Sequence, residues 1–343
     1  MIKIINYSDK YETAWTEYVD RSPEATVAHQ VGWRKAMKTG LGHEPYYLLA
    51  LENDAVKGVL PLFLVKTWWR TKYLISLPWI DYGGLLADDE PTARALLEKG
   101  QELTKELNAE FMEFRSVDEN RLGMALRTDK ATFLLPLDKD PEIVWNGFDA
   151  KLRNQIRKSE KSELTTEFIG LEGLNRFYKV FSYNMRDLGT PVWGREFFRA
   201  VLENFPDNAW LVLVNKDQIT VAGGLVLAFK DRLYVPSASS YRSYLKYCPN
   251  HALYWSVIKY ACEKGYAHFD FGRSSYDANT FKFKKQWTQP PRPLTWQYYL
   301  NRIDEVPSIN PANPKYKLFI GLWRRLPLFV ANYLGPKVIK NFP

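Results

Sequence analysis

The stretch NHALYWSVIKYACEKGYAHFDFGRSS, residues 250–275, contains the pattern on which the predicted fold depends. Its first part, residues 250–266, has the composition of a helix that stops near a glycine. The alternation in residues 267–275 predicts a strand, with two phenylalanines on one face and His268 and Asp270 on the other. A helix that leads directly into a strand is typical of an α/β unit, so the segments around it decide the architecture.

A hairpin precedes this helix and strand. Residues 210–229 read WLVLVNKDQITVAGGLVLAF, which is two apolar runs joined at Lys216-Asp217, and residues 232–240 predict one further strand. The first half of the chain has the same order of a hairpin, a helix and a strand, at residues 46–65, 90–109 and 110–116. This repetition predicts a duplicated α/β unit. Many α+β domains contain the same order, so coincidence stays open as the alternative.

The segment between the two copies predicts helices over 141–161 and 171–189, the second of which stops at Gly189. The turn-rich segment LDKDP marks a linker near residue 140. We therefore predict an α/β (α+β) protein in which two similar domains follow each other, each a mixed sheet flanked by helices. The predicted parts are an N-terminal domain, a C-terminal domain and a short basic tail, at residues 1–140, 141–300 and 301–343.

Length and composition exclude several classes of protein. The 343 residues exceed one ordinary core, and 46% hydrophobic with 25% charged residues indicates a globular chain. Aromatic residues make up 15%, which fits either a ligand cleft or a large core. Two cysteines, Cys248 and Cys262, offer no disulfide framework and favour a reducing compartment. We expect no signal peptide and no membrane span, since no apolar run is long enough.

The net charge of +8 is concentrated near the C-terminus. Six cations and no acid follow Glu305, namely Lys315, Lys317, Arg324, Arg325, Lys337 and Lys340. Apolar residues around Trp323 and Tyr333 interleave with them, which predicts docking on the inner face of an anionic membrane. The alternative is that the tail packs on the domains and leaves its cations in water. A second basic cluster, KLRNQIRKSEK (151–161), indicates either a phosphate-binding surface or a solvated helix face.

Common catalytic and cofactor motifs are absent from the sequence. It contains no G-x-S-x-G, no Walker A loop and no G-x-G-x-x-G. The four histidines lack the spacing of metal ligands, so no metal site is predicted.

Five segments are informative in combination, RNQIRKSEK (153–161), MRDLGTPV (185–192), PNHALYW (249–255), DFGRSS (270–275) and FKFKKQW (281–287). Together they resemble the Fem-type acyltransferases, a GNAT-like group that includes the peptidoglycan-bridge aminoacyltransferases. The chain looks most like the FemAB-related proteins that accompany exosortase and exopolysaccharide systems. The resemblance covers nearly the whole chain and is strongest over 141–300. It implies two GNAT-like domains, in agreement with the repeated order of elements.

The resemblance also implies catalytic and substrate-binding residues. Lys284, in the F-K-x-x-W motif, matches the position at which Fem-type enzymes place a lysine near the reacting carbonyl, where it would stabilise an oxyanion or a phosphate. The alternative is a surface lysine on an aromatic-packed strand. Asp270 is either a general base or, as we favour, the ion-pair partner of Arg273. Arg273, Ser274 and Ser275 can bind an anionic acceptor, or they can form an ordinary turn.

Donor-binding residues follow from the same resemblance. In GNAT-like folds a helix N-terminus holds the pyrophosphate of the donor, and here that helix should start at Pro249, with Asn250 and His251 in its first turn. KYCPN stands where acetyltransferases have a glycine-rich run, which counts against acyl-CoA and leaves aminoacyl-tRNA or another acyl carrier open. The donors considered are therefore acyl-CoA, acyl carrier protein and aminoacyl-tRNA. Three arginines could hold phosphate in the same cleft, the pair Arg153 and Arg157 and the weaker candidate Arg186.

The sequence therefore predicts an N-acyltransferase or aminoacyltransferase without a tightly bound cofactor. Its acceptor would be an amine or hydroxyl of a cell-envelope or exopolysaccharide precursor, linked to a lipid or a nucleotide. The predicted location is the cytoplasm, at the inner face of the membrane if the tail docks there. The alternative is a non-catalytic protein that binds nucleic acid, an anionic polysaccharide or a membrane surface.

Overall fold

The computed structural model describes residues 2–116, 122–307 and 314–342. The chain forms two compact units. Unit 1 comprises Met1–Lys130, Pro293–Ile309 and Lys340–Pro343, and unit 2 comprises Ala131–Arg292 and Asn310–Ile339. The boundary thus falls at Lys130, before the linker expected near residue 140. The segment predicted as a separate tail is shared between the two units.

Unit 1 contains two sheets and three α-helices among its described residues. Its elements in chain order are β1 (Lys3–Asn6), α1 (Glu12–Arg21), α2 (Trp33–Leu41), β2 (Glu44–Pro45), β3 (Leu48–Glu52), β4 (Ala55–Leu60), β5 (Phe63–Lys66), β6 (Lys72–Ile75), β7 (Leu86–Ala87), α3 (Glu90–Glu106), β8 (Phe111–Ser116) and β9 (Ala125–Thr132). The strand numbered β17 (Arg292–Leu300), which comes much later in the chain, also belongs here apart from its first residue. The last two residues of β9, Ala131 and Thr132, fall in unit 2.

The sheets of unit 1 confirm the first predicted hairpin. One sheet has the strand order β1-β3-β4-β7, and the unit 1 strands of the other follow the order β9-β17-β8-β6-β5-β2. The turn between β3 and β4 falls at Asn53 and Asp54, which both have positive φ, as a two-residue hairpin turn requires. The predicted helix and strand that follow are α3 and β8. Asp89 caps α3 because its side chain accepts a hydrogen bond from the Thr92 backbone.

Unit 2 contains the second copy of the repeated order. Its elements are β10 (Leu134–Pro136), α4 (Pro141–Gly147), α5 (Ala150–Lys161), β11 (Thr165–Ile169), α6 (Leu174–Leu188), α7 (Arg195–Asn204), β12 (Ala209–Lys216), β13 (Ile219–Phe229), β14 (Arg232–Ser240), α8 (Pro249–Glu263), β15 (His268–Asp270), β16 (Ser274–Ser275), α9 (Asn279–Lys284), α10 (Pro314–Trp323) and α11 (Leu328–Ile339). The α/β fold of mixed sheets flanked by helices is therefore confirmed.

The unit 2 sheet has an opening between two of its strands. Its order is β10-β15-β14-β13-β12-β11, in which β14 and β15 are the parallel pair. Their pairing runs from Arg232 opposite His268 to Tyr234 opposite Asp270. Beyond this point β14 continues to Ser240, whereas β15 has ended, so the two strands part. α8 connects them as a crossover helix and therefore begins at the edge of the sheet where they part.

Three predicted elements differ from the structure. The helix expected over 141–161 is two helices, because Asp149 interrupts it and caps α5 by accepting a hydrogen bond from the Leu152 backbone. The strand expected over 267–275 is divided into β15 and β16, with Gly272 at φ +69° between them. The segment read as a lysine-bearing loop or strand after residue 275 contains the helix α9, and Lys284 is buried rather than at the surface.

The C-terminal helices are part of unit 2. Trp323 of α10 is buried. Gly189 ends α6, as predicted, with φ +78°. It lies so close to α10 that a β-carbon at position 189 would be 2.8 Å from the Ile320 carbonyl oxygen. A β-carbon at Gly335 of α11 would similarly lie 2.8 Å from the backbone nitrogen of Val192. The described helices include none that is long and apolar enough to cross a membrane.

Candidate active site in unit 2

The turn after β15 is held in place by a buried carboxylate. The side chain of Asp270 is fully buried, and its Oδ1 accepts hydrogen bonds from the Thr132 hydroxyl and the Gly272 backbone, both at 2.8 Å. The guanidinium of Arg232, on the neighbouring strand β14, lies 4.0 Å from Oδ2. Arg232 is thus an ion-pair partner that the sequence did not suggest. These contacts fix the start of the turn.

Lys284 holds the same turn from the opposite side. Its side chain is buried at 8% exposure, and Nζ donates hydrogen bonds to the backbone oxygens of Gly272 at 2.9 Å and Arg273 at 2.8 Å. An ammonium group in such a position places a fixed positive charge beside the turn. Lys284 thus contacts the turn formed by residues 270–275, while its catalytic role stays a prediction.

Ser274 offers a polar group to a ligand at this turn. Its hydroxyl is buried and has no hydrogen-bond partner within the part of the chain that the structure describes. Arg273 and Ser275, on either side, are partly exposed. Because buried hydroxyls in folded proteins nearly always have a partner, a ligand or a water is expected to supply one here.

An aromatic cluster connects the turn to the first turn of α8. The ring of His251 stacks on Trp287 with centroids 6.1 Å apart and meets Phe283 of α9 at 5.2 Å. Tyr254, one helical turn further, stacks on Phe271 at 5.4 Å. The donor-binding candidate His251 and the F-K-x-x-W motif, Phe283 to Trp287, are therefore brought together.

Burial lowers the pKa of His251 to about 4, so its imidazole is neutral near pH 7, and Nε2 is buried without a partner among the described residues.

The first turn of α8 has an unusual start. The helix begins at Pro249, as predicted, and Cys248 before it adopts the left-handed conformation at φ +60°. The Cys248 thiol donates to Gln155 Oε1 of α5 at 2.9 Å. Burial raises the pKa of this thiol, while the positive charge of Lys158 opposes the increase. Gln155 and Lys158 therefore lie on the flank of α5 that faces the start of α8, beside Asn250, which is partly exposed. The sequence prediction missed both residues.

Arg153 and Arg157 lie on the other flank of α5. Successive residues of an α-helix are rotated by about 100°, so these arginines lie across the buried face from Gln155 and Lys158. The Arg157 guanidinium lies 5.4 Å from the ring of Trp145, which in turn packs on Trp255 near the middle of α8. The structure thus places Arg157 beside α4, and a pyrophosphate clamp by Arg153 and Arg157 stays a prediction.

Arg186 is engaged by the C-terminal segment. Its Nε donates to Asp187 at 2.7 Å, its Nη1 donates to the Leu326 carbonyl at 3.3 Å, and its guanidinium lies over Tyr183. These contacts do not involve the turn after β15, so we leave Arg186 out of the proposed site.

The partly buried, neutral His251 predicts a loss of stability in acid. The folded state keeps the pKa near 4 against an ordinary value of 6.5, so the unfolded chain binds the proton more readily and stability falls as pH drops below 6.5. Between pH 7 and pH 4.5 this contributes about 2–3 kcal/mol. Urea unfolding of His251→Phe should show a pH dependence weaker by that amount. His43 is also buried and serves as the internal control, since its contribution is the same in both proteins. An unchanged pH dependence would show that His251 is not buried as described.

The site lies within a recognised domain. Residues 147–285 match the family described as an acetyltransferase (GNAT) domain. The matched range contains α5, α8, the turn after β15 and Lys284 of α9. Unit 2 therefore carries an acyltransferase domain, and the chain is an enzyme of the acyltransferase class.

Solved structures resemble the whole chain in fold. The crystal structure of FemX matches with a TM-score of 0.67 at 16% identity, over 93% of this chain and 100% of that one. The C-terminal domain (DUF2156) of a putative lysylphosphatidylglycerol synthetase from Agrobacterium fabrum gives 0.57 at 13% identity, over 84% and 91% of the two chains. A tandem GNAT protein from the clavulanic acid biosynthesis pathway gives 0.55 at 12% identity, over 88% and 98%.

These similarities support a Fem-like tandem GNAT fold, and at such identities they concern the fold alone. No curated protein matches the chain.

Proposed function

We propose that this enzyme transfers an acyl or aminoacyl group from a carrier to an amine or hydroxyl of a cell-envelope or exopolysaccharide precursor. The observation that carries the proposal is the turn of Gly272 and Arg273, which Lys284 holds where β14 and β15 part, next to the first turn of α8. In the reaction the amine or hydroxyl of the acceptor attacks the donor carbonyl and forms a new bond to its carbon. The bond from this carbon to the carrier sulfur or oxygen then breaks, and the carrier leaves as a thiol or hydroxyl, so that the proton lost by the acceptor is balanced by the one the carrier gains.

The donor would bind at the start of α8. The helix dipole and the Asn250 backbone amide favour an anion at the start of α8, where Pro249 has no N–H and the His251 amide donates to the Cys248 carbonyl. Lys158 adds a full positive charge on the adjacent helix. Acyl-CoA, acyl carrier protein and aminoacyl-tRNA all present phosphate, so this surface suits each of them. Asn250 and His251 in the first turn would contact the donor, His251 through its neutral ring.

The acceptor would bind at the turn after β15. Arg273 suits a phosphate of a lipid-linked or nucleotide-linked saccharide, and the hydroxyls of Ser274 and Ser275 suit sugar hydroxyls. One of the similar structures is named as a lysylphosphatidylglycerol synthetase domain, which supports considering an aminoacyl donor and a membrane-linked acceptor. A lipid-linked acceptor would place the enzyme at the inner face of the membrane. The exosortase or exopolysaccharide setting is part of this proposal.

The second candidate is a protein that binds polyanions without catalysis, for which the charge of +8 is the supporting observation. The GNAT match favours the enzyme. Heparin retention separates the two. A polyanion binder should show heparin retention that falls steeply with salt and that is unaffected by changes at residues 273 and 284. It should also show no turnover of any donor.

A donor screen by native mass spectrometry tests the proposal. The protein is incubated with acyl-CoA, acyl carrier protein or aminoacyl-tRNA, and we expect a one-to-one complex with one of these classes. Lys158→Ala should weaken that complex about tenfold, because it removes a charge from the phosphate site. Lys264→Ala is the matched control, an exposed cation at the opposite end of α8, and should leave binding unchanged. Absence of any donor complex, or weakening by the Lys264 change alone, would contradict the assignment.

A further inference from the structure

The last two helices present large apolar side chains to solvent. On α10, Leu318 is 66% exposed and Leu322, four residues later, is also exposed. On α11, Phe329 is 77% and Tyr333, again four residues later, is 66% exposed. Residues four apart lie on one helical face, so each helix has an apolar outward face in addition to the contacts that anchor it. A helix of a soluble protein normally carries polar residues there.

Cations surround these outward faces. Lys317, Arg324, Arg325 and Lys337 are all exposed, and no acidic residue follows Glu305 in the sequence. The Lys337 ammonium lies 3.6 Å from the centre of the Tyr333 ring, so the charge and the aromatic group share one patch. Helices that carry apolar side chains and only positively charged ones complement a surface that combines hydrocarbon with negative charge.

Unit 1 carries a second exposed patch of the same kind. Trp68 and Trp69, at the tip of the β5–β6 hairpin, are 60% and 56% exposed, and Arg70 follows them. Tryptophan beside basic residues is typical of the interface between water and lipid.

We propose that the outward faces of α10 and α11 dock this enzyme on an anionic lipid surface. The two helices have ten and twelve residues and lie on unit 2, so they would rest in the headgroup region without spanning the bilayer. The cations would contact the lipid phosphates, and Leu318, Leu322 and Phe329 would enter the boundary of the acyl chains. This surface is separate from the turn after β15 and does not depend on the identity of the donor or acceptor.

A lipid surface explains the charge better than a protein partner or a second copy of the chain. A second copy would bring the same cations to the interface, where like charges repel. A protein partner would need an acidic surface with an apolar centre, whereas anionic vesicles supply both features with no specific fit. The two outward faces are also short and belong to separate helices, and a fluid lipid surface can adapt to such an arrangement.

Co-sedimentation with vesicles tests the proposal. The full-length chain should sediment with phosphatidylcholine vesicles that contain phosphatidylglycerol at low salt, and should be released at high salt or from pure phosphatidylcholine. The double variant Phe329→Ser/Tyr333→Ser should bind at least about tenfold more weakly, because it removes apolar groups that enter the boundary. Both side chains point outward, so the thermal unfolding transition should be unchanged. Truncation is unsuitable as a test, since it would also remove the buried Trp323.

Matched controls carry the same chemical changes elsewhere. Ile143→Ser/Ile219→Ser removes exposed apolar side chains from other surfaces and should leave binding unchanged. Arg325→Glu/Lys337→Glu should weaken binding to anionic vesicles, whereas the exposed pair changed in Lys161→Glu/Lys264→Glu should have a small effect.

Three results would overturn the proposal. The first is a folded Phe329→Ser/Tyr333→Ser variant that binds vesicles as well as the wild type. The second is a loss of vesicle binding in Trp68→Ser/Trp69→Ser alone. The third is a wild-type protein that does not bind vesicles but self-associates, with the self-association abolished in Phe329→Ser/Tyr333→Ser. The last result would assign the same face to a contact between copies. Because vesicle binding needs no donor, a failed donor screen leaves this test intact.

Discussion

Replacing Lys284 by methionine is expected to lower turnover about 10²–10³-fold, the usual cost of losing one group that stabilises the charge of an acyl-transfer transition state. Methionine has a similar length but cannot donate to the carbonyls of Gly272 and Arg273. Those buried carbonyls would lose their partner, so the free energy of unfolding should also fall, by about 1–3 kcal/mol. Both quantities are measured on the same preparation, by donor turnover and by urea unfolding.

Lys285→Met is the matched control, because Lys285 is the next residue and is exposed. Its turnover and stability should equal those of the wild type. If Lys284→Met fails to fold, Arg273→Ala tests the same turn. Arg273 is partly exposed, so its replacement should leave the fold intact and reduce turnover about 10²-fold. Near-normal turnover in folded Lys284→Met, or in Arg273→Ala, would remove the residue concerned from the site.

Asp270→Asn is expected to destabilise unit 2 by about 2–3 kcal/mol, because hydrogen bonds to a buried charged group are stronger than those to a neutral one. The Oδ1 atom already accepts from Thr132 and Gly272, and Arg232 lies near Oδ2. We therefore infer that Asp270 is a positioning residue that orients the turn, rather than the general base. Urea unfolding and the pH dependence of turnover are the measurements that decide.

The two roles of Asp270 give different pH profiles. A positioning role predicts a smaller kcat in Asp270→Asn with an unchanged profile shape, and a milder change of the same kind in Thr132→Val. A general base predicts a loss of about 10²–10⁴-fold and disappearance of the acid limb of the profile, with stability little changed. The second pattern would contradict our inference.

Local patterns predicted most of the elements near the site. The start of α8 at Pro249 and the end of α6 at Gly189 follow from the conformational preferences of proline and glycine, which depend little on distant residues. The hairpins follow from alternation and turn residues in the same way. The resemblance of DFGRSS and FKFKKQW to one family placed Lys284 beside residues 270–275, and the structure brings them into contact.

Features that depend on distant parts of the chain were missed. α9 has only six residues, and the alternation in FKFK suggested a strand, so its helical form depends on packing against its neighbours. β17 pairs with β8 of unit 1, with Trp296 opposite Arg115, although the chain between them builds unit 2. Which flank of α5 faces the start of α8 is likewise set by tertiary packing, so the sequence did not single out Gln155 and Lys158.

The central claim is that the acyl donor binds in unit 2, where β14 and β15 part at the start of α8. Hydrogen exchange of the backbone amides, measured with and without the donor found in the mass-spectrometric screen, tests it most directly. We predict slower exchange in residues 250–253 and 271–275, and no change in α3 of unit 1. Protection confined to unit 1, with unchanged exchange across 250–253 and 271–275, would contradict the claim.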